Sequence, residues 1–328
     1  MSRRKSSFVV AAPLAFVLMW ASGPIAVETG LAHSSAPTFL LLRALGSAAL
    51  CWGVWFFVRD RLPRTGPEWM RTVVVAILLQ TVYQGFFFAA VGAGLPAGII
   101  AVILGTQPIL TTLITRSGRD RRFRTGLVVG LAGVALTVSS TLGAPSRTDT
   151  AGTVTGLLFA FLALGAITGG TIVQGRTANV GTWAALAIQY SFSSVAFAVT
   201  TACTGGPQLT GRPAFFLALG WMVVVVSVGA AALLYFMVAR GEVARVTSLF
   251  YCVPPVTALL DLLFSGTALT AVELAGIGLV VVAVALIQTG APRFRRTRRA
   301  ETVPERPSTA PESTKDGTGL ARTRQGGR

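Results

Sequence analysis

The sequence predicts an all-α integral membrane protein, with ten transmembrane helices arranged as two inverted five-helix repeats. Three observations carry that prediction. The chain is strongly apolar, its apolar runs have the length of a bilayer crossing, and its second half repeats landmarks of its first.

Of the 328 residues, 52% are hydrophobic and 12% are charged, and the mean hydropathy is +0.67. A soluble domain carries about 25% charged residues. The formal net charge of +16 would suggest nucleic-acid binding in a soluble protein. Here the charges lie between and beyond the apolar runs, so no nucleic-acid partner is expected. Cys51, Cys203 and Cys252 form no CxxC pair, and His33 is the only histidine. A disulfide framework, a His-based metal site and a hydrolytic triad are therefore not expected. No Walker-type phosphate loop occurs, so the chain is not expected to hydrolyse ATP. No cofactor is expected.

A crossing helix needs about 20 mostly apolar residues. The first such run is 8–28. It follows Arg3, Arg4 and Lys5 and looks like a secretory signal ending at Ala21-Ser22-Gly23. Pro24 follows those small residues directly and the run continues to Val27, so it is read as a retained span, ending at Glu28. The second, 37–57, carries Arg43. The third, 70–91, carries Gln80, Tyr83, Gln84 and Phe86 to Phe88. The fourth, 95–115, carries Gln107 and Pro108. The fifth, 125–142, holds the GxxxG pair Gly126 and Gly130, which predicts close helix packing. The sixth is 153–174. The seventh, 182–203, contains Gln189, read as an interhelical hydrogen bonder. The eighth, 213–238, ends near Tyr235. The ninth, 244–265, contains Tyr251, Pro254, Pro255 and Asp261, and the tenth is 271–290. Residues 1–7 form a cytoplasmic N-terminus, 8–142 one repeat, 143–152 a linker and 153–290 the second repeat. The Arg-, Pro-, Ser- and Thr-rich tail 291–328 lacks apolar periodicity and is expected to be disordered and cytoplasmic.

The basic residues set the expected orientation. With the N-terminus in the cytoplasm, only Arg147 and Arg212 fall in outer loops, and Arg43 falls within a span. The other Arg and Lys residues fall inside. This imbalance predicts a multi-pass protein of the cytoplasmic membrane with both ends in the cytoplasm.

The repeat appears when Ala89–Ile114 is set against Phe236–Asp261. Gly94 then meets Gly241, Ala97 meets Ala244, and Pro108 meets Pro255. A few residues on, Gly126 meets Gly276 and Gly133 meets Ala283. Five spans per half is an odd number, so the second half starts on the opposite side of the membrane. Inverted repeats of this kind are common among secondary transporters.

The sequence also resembles the drug/metabolite transporter superfamily, in its EamA-type ten-helix branch, over about residues 8–290. The resemblance rests on Trp20-Ala21-Ser22, on the run from Ala97 to Gln107-Pro108, and on the run from Ala244 to Pro254-Pro255-Val256-Thr257-Ala258. It implies export or exchange of small metabolites, amino acids or drugs without ATP. It also implies a cavity lined mainly by helices one, three, four, six, eight and nine. Relatives often carry Gly-Glu after each proline helix. Here the copies read Gly118-Arg119-Asp120 and Gly266-Thr267, so no role of that glutamate passes to Thr267.

The candidate cavity residues are Trp20, Gln80, Tyr83, Gln84, Gln107, Tyr235 and Tyr251. Gln80, Tyr83 and Gln84 share a helix face. Such a face either lines a wet cavity or bonds a neighbouring helix. Pro108, Pro254 and Pro255 are candidate bends, serving either motion or static packing. Glu28, Arg43 and Asp261 are the intramembrane charges, expected on the outer side of the membrane. Arg43 and an acid either form a packing pair or serve function. An unpaired Asp261 could carry a proton. The expected function is secondary-active export of a small solute by alternating access, with a small-molecule substrate and the bilayer as partners. The proton is the candidate coupling ion and a homodimer the candidate assembly. The alternatives are a membrane-embedded lipid-modifying enzyme and a non-transporting scaffold.

Overall fold

The computed structural model describes residues 14–115, 121–143, 150–176, 180–233, 252–265 and 270–290. Among these residues the regular structure is helical, apart from one antiparallel bridge between Ser34 and Leu209. Tyr235, Tyr251, Ala244, Gly118-Arg119-Asp120, Gly266-Thr267, most of the linker, the N-terminus and the tail lie outside the described residues.

In chain order the helices are α1 (Leu14–Leu31), α2 (Ala36–Val58), α3 (Gly66–Gly92) and α4 (Ala97–Thr115). They continue as α5 (Arg121–Gly143), α6 (Thr150–Gln174) and α7 (Thr182–Cys203). The last three are α8 (Pro213–Leu233), α9 (Val253–Ser265) and α10 (Ala271–Gly290). Seven of these, α1 to α4 and α6 to α8, are long and apolar enough to cross a bilayer. The other three hold shorter apolar stretches: Arg124–Thr137, Pro255–Phe264 and Ala271–Ala283. Large apolar side chains such as Phe57, Leu217 and Phe264 are exposed, an outer surface that suits hydrocarbon rather than water.

Helix ends follow local chemistry. α3 starts at Gly66, earlier than the apolar run suggests, because Thr65 and Glu68 form a capping box. Glu68 also pairs with Arg61 at 3.0 Å. α10 starts the same way, with the Glu273 carboxylate accepting from the Thr270 amide at 2.7 Å. α2 ends where Arg59 turns left-handed, at φ 51°. Four of the described spans are interrupted: α1 breaks at Ser22, before Gly23–Leu31. α3 contains a π-helical stretch over Ala76–Val82 and α8 another over Trp221–Ala230. α4 breaks at Thr106 into Ala97–Gly105 and Gln107–Thr115.

Packing reveals the repeat. α2 lies against α7, α4 against α9, and α5 against α10, while α3 packs on α6 and α8 on α1. Exchanging each helix for its counterpart five places on leaves this pattern unchanged. The paired counterparts run antiparallel. The Ser35 amide near the start of α2 donates to Gln208 O beyond the end of α7. At the other end, the Asp60 carboxylate after α2 accepts from the amides of Trp183 and Ala184 at the start of α7, at 2.7 and 3.1 Å. In α5 and α10, Gly133 faces Gly276 and Gly130 faces Ala283, so one helix rises as the other descends. Antiparallel pairing of equivalent helices is what an inverted repeat requires. The core between the halves is apolar, with Phe39, Phe88 and Phe215 fully buried and Phe39 against both other rings at 5.4 and 5.8 Å.

Candidate substrate cavity

The polar residues of the spans fall into two groups. The first is centred on Arg43, which is 5% exposed. Ala36 starts α2, so Arg43 lies about 10 Å along it at 1.5 Å per residue. Its Nη1 donates to Gln84 Oε1 of α3 at 2.7 Å, and its Nε has no partner. Arg43, Gln80, Tyr190 and Ser193, with the apolar walls of Leu40 and Phe197, enclose a cavity of about 10 Å³. That is roughly the space one water needs. Gln80 Oε1, Ser47 Oγ and Ser227 Oγ are buried without a hydrogen-bond partner. Ser47 is one turn beyond Arg43 on α2, and Ser227 lies in the π-helical stretch of α8. Gln80 lies in that of α3. Thus each π-helical stretch carries one polar side chain with a buried oxygen, with Ser227 beside the Tyr190 hydroxyl. A π-turn widens the helix and is common at functional sites.

The second group sits at the start of α4. Glu28 Oε1, on α1, accepts from the Ala97 amide at 3.2 Å. Asp261 Oδ2, on α9, accepts from the Gly98 amide at 3.2 Å. These are the first two amides of α4, where the helix dipole favours negative charge. Asp261 is 1% exposed, and its Oδ1 has no partner.

Of the two alternatives for Arg43, the packing pair with an acid is not formed among the described residues. Among the described residues Arg43 pairs with neither Asp261 nor Glu28, and the only ion pair is Arg61–Glu68. The physical reason is that the α4 terminus already supplies donors and partial positive charge to both acids. Arg43 turns instead to an amide one helix over.

The remaining candidates are placed as follows. Gln84 and Gln80 meet at the Arg43 site, and Tyr83 lies within electrostatic reach of the same guanidinium, with its ring 6.1 Å from that of Phe87 against the apolar core. Gln107 Nε2 donates to Thr171 Oγ1 of α6 at 3.0 Å. Trp20 packs 5.7 Å from Phe16, in a cluster with Ala230 and Val256 away from Arg43. Gln189 Nε2 donates to Gln174 Oε1 at 3.3 Å, the interhelical bond its sequence position suggested. Pro108 falls in the first turn after the Thr106 break, and Pro254 and Pro255 in the first turn of α9. A proline costs no helix hydrogen bond there. The walls of this small cavity come from α2, α3 and α7, of which α3 is among the six helices that the resemblance implies. Ser47 and Ser227 were not singled out. Ser47 sits four residues from Arg43 and Ser227 is the lone hydroxyl in a valine-rich run, signals that helical spacing could have used.

The EamA-like transporter family matches residues 7–142 and again residues 154–289. The uncharacterized inner membrane transporter YedA of Escherichia coli (strain K12) is 26% identical over 284 residues, covering 84% of this chain and 89% of its own. The uncharacterized transporter YvbV of Bacillus subtilis (strain 168) is 27% identical over 297 residues, covering 84% and 90%. A solved crystal structure at 19% identity aligns over 88% of this chain and 99% of its own, with a TM-score of 0.59. It carries the fold alone.

Proposed function

The chain belongs to the EamA-like transporter family, and from that premise we propose that it is a secondary-active exporter of a small metabolite, amino acid or drug. It works by alternating access between two inverted five-helix halves, with ten crossings and both ends in the cytoplasm. The observation that carries this reading is the small cavity beside the buried Arg43. It lies where the counterpart helices α2 and α7 meet, and two polar atoms of its lining residues, Arg43 Nε and Gln80 Oε1, lack internal partners. Transporter sites commonly lie at such repeat interfaces. Polar atoms left unpaired in hydrocarbon are costly unless they serve a passing solute or water.

A space that holds one water does not hold a solute, so the cavity must widen during a cycle. That is what alternating access supplies. The test is solute efflux from proteoliposomes containing the purified chain. Flux above protein-free vesicles supports the reading. A modified lipid without flux would instead favour a membrane enzyme, and neither would favour a scaffold.

A further inference from the structure

We propose that Arg43 anchors a carboxylate on the transported solute, which makes the substrate class small carboxylate-bearing molecules. This rests on the transport reading above and names the chemistry of the same site.

A guanidinium is always charged and presents five N–H donors in a planar fork. Taking it out of water without a counter-charge is expensive. Arg43 is 5% exposed. Its hydrogen bond to Gln84 uses one neutral oxygen, and Nε is left without a partner. The two acids that the sequence offers as counter-ions are both occupied at the start of α4. The protein therefore holds a buried cation whose counter-charge is not among the described residues.

The surroundings fit an anionic ligand. Arg43 is among the residues that line the cavity, and its Nε has no partner. No carboxylate lines that space to repel an anion. Ser193 and Tyr190 share the lining, and the unpartnered Ser47 hydroxyl lies one turn away on α2. Hydroxyls can donate to a carboxylate or accept from an amine. A planar carboxylate matches the guanidinium fork in a way that a hydroxyl or ammonium does not. Leu40 and Phe197 supply apolar walls for the rest of the solute.

The experiment measures thermal stabilisation of the purified full chain in detergent. The probes are the twenty amino acids and straight-chain monocarboxylates of two to eight carbons, each compared with its own amide. At least one acid should raise Tm while its amide does not. If amino acids alone act, the α-amino group is also read. If simple acids act as well, the carboxylate suffices. Arg43→Gln should abolish the response and Arg43→Lys should weaken it at least tenfold in half-saturating concentration, because the point charge remains but the fork is lost. If Arg43→Gln does not yield folded protein, the Arg43→Lys shift alone decides. Equal action of an acid and its amide would overturn the proposal. So would an undiminished acid response in Arg43→Gln or Arg43→Lys, or stabilisation by no acid at all. Flux separates this from the wider reading: transport of a neutral or cationic solute, with no acid effect, would leave a transporter whose anchor is not Arg43. Absence of flux for every solute would fail the transporter reading itself.

Discussion

The two carboxylate oxygens of Asp261 differ in their surroundings. Its Oδ2 caps the start of α4 through the Gly98 amide, and its Oδ1 makes no hydrogen bond. Asp261→Asn keeps an oxygen acceptor for Gly98 but cannot gain or lose a proton. Folded yield should be retained, while the dependence of flux on pH flattens. A pH profile identical to that of the parent chain would remove Asp261 as a proton carrier. Asp261→Leu loses the cap as well and should lower stability by about 0.5–2 kcal/mol, the usual value of a lost cap, seen as a fall in Tm. The sequence marked Asp261, Glu28 and Arg43 as the charges that matter, since ionisable groups in apolar runs stand out. It did not indicate their partners. A helix terminus competing with a guanidinium for the same carboxylates is a tertiary fact. It depends on α1 and α9 both reaching the first turn of α4.

At the scale of elements, the close approach of α5 and α10 is the sharpest packing constraint. A Cβ on Gly133 or on Gly276 would lie 2.8 Å from the other residue's carbonyl oxygen. Gly276→Leu should therefore cost about 1–3 kcal/mol through overpacking, whereas Gly278, which has open space around it, should accept Leu with little change in Tm. Equal shifts for the two variants would mean that the helices part easily. α4 offers a different test. Its break at Thr106 precedes Pro108, so the two pieces Ala97–Gly105 and Gln107–Thr115 can change angle. Pro108→Ala should reduce flux several-fold while folded yield changes little. Parallel losses would make the proline a packing device only. The apolar runs gave the extents of α2, α6 and α7 closely, because length and hydropathy read directly as crossings. The π-helical stretches in α3 and α8 left no such trace. A π-turn adds one residue to a turn without altering composition, so AILLQTV and WMVVVVSVGA look like ordinary apolar helix. Both change the register of the face that carries Gln80 or Ser227.

At the scale of the molecule, the inverted repeat was readable from an odd number of spans per half and a few matched residues. The packing adds where the two halves are tied together. The α2–α7 pair is tied at both ends at once. At one end Ser34 bridges Leu209, the Ser35 amide donates to Gln208 O at 3.0 Å, and the Thr210 amide donates to His33 O at 2.8 Å. At the other, the Gly181 amide donates to Arg61 O at 2.7 Å, beside the Asp60 cap on α7. A gate opens at one end while closing at the other, so a pair closed at both ends is better suited to be a fixed spine. Solute would then reach Arg43 and Tyr190 on the spine by movement of α3, α8 and the two-piece α4 around it. Cysteines at Ser34 and Leu209, in a Cys203→Ser and Cys252→Ser background, test this. Antiparallel bridge partners stand about 4.5–5.5 Å apart at Cα, within the range a disulfide spans. Oxidation should leave flux at the level of the reduced protein. Flux that stops on oxidation and returns with dithiothreitol would instead mean that the halves separate at this end, and the spine would have to be sought in the α5–α10 pair.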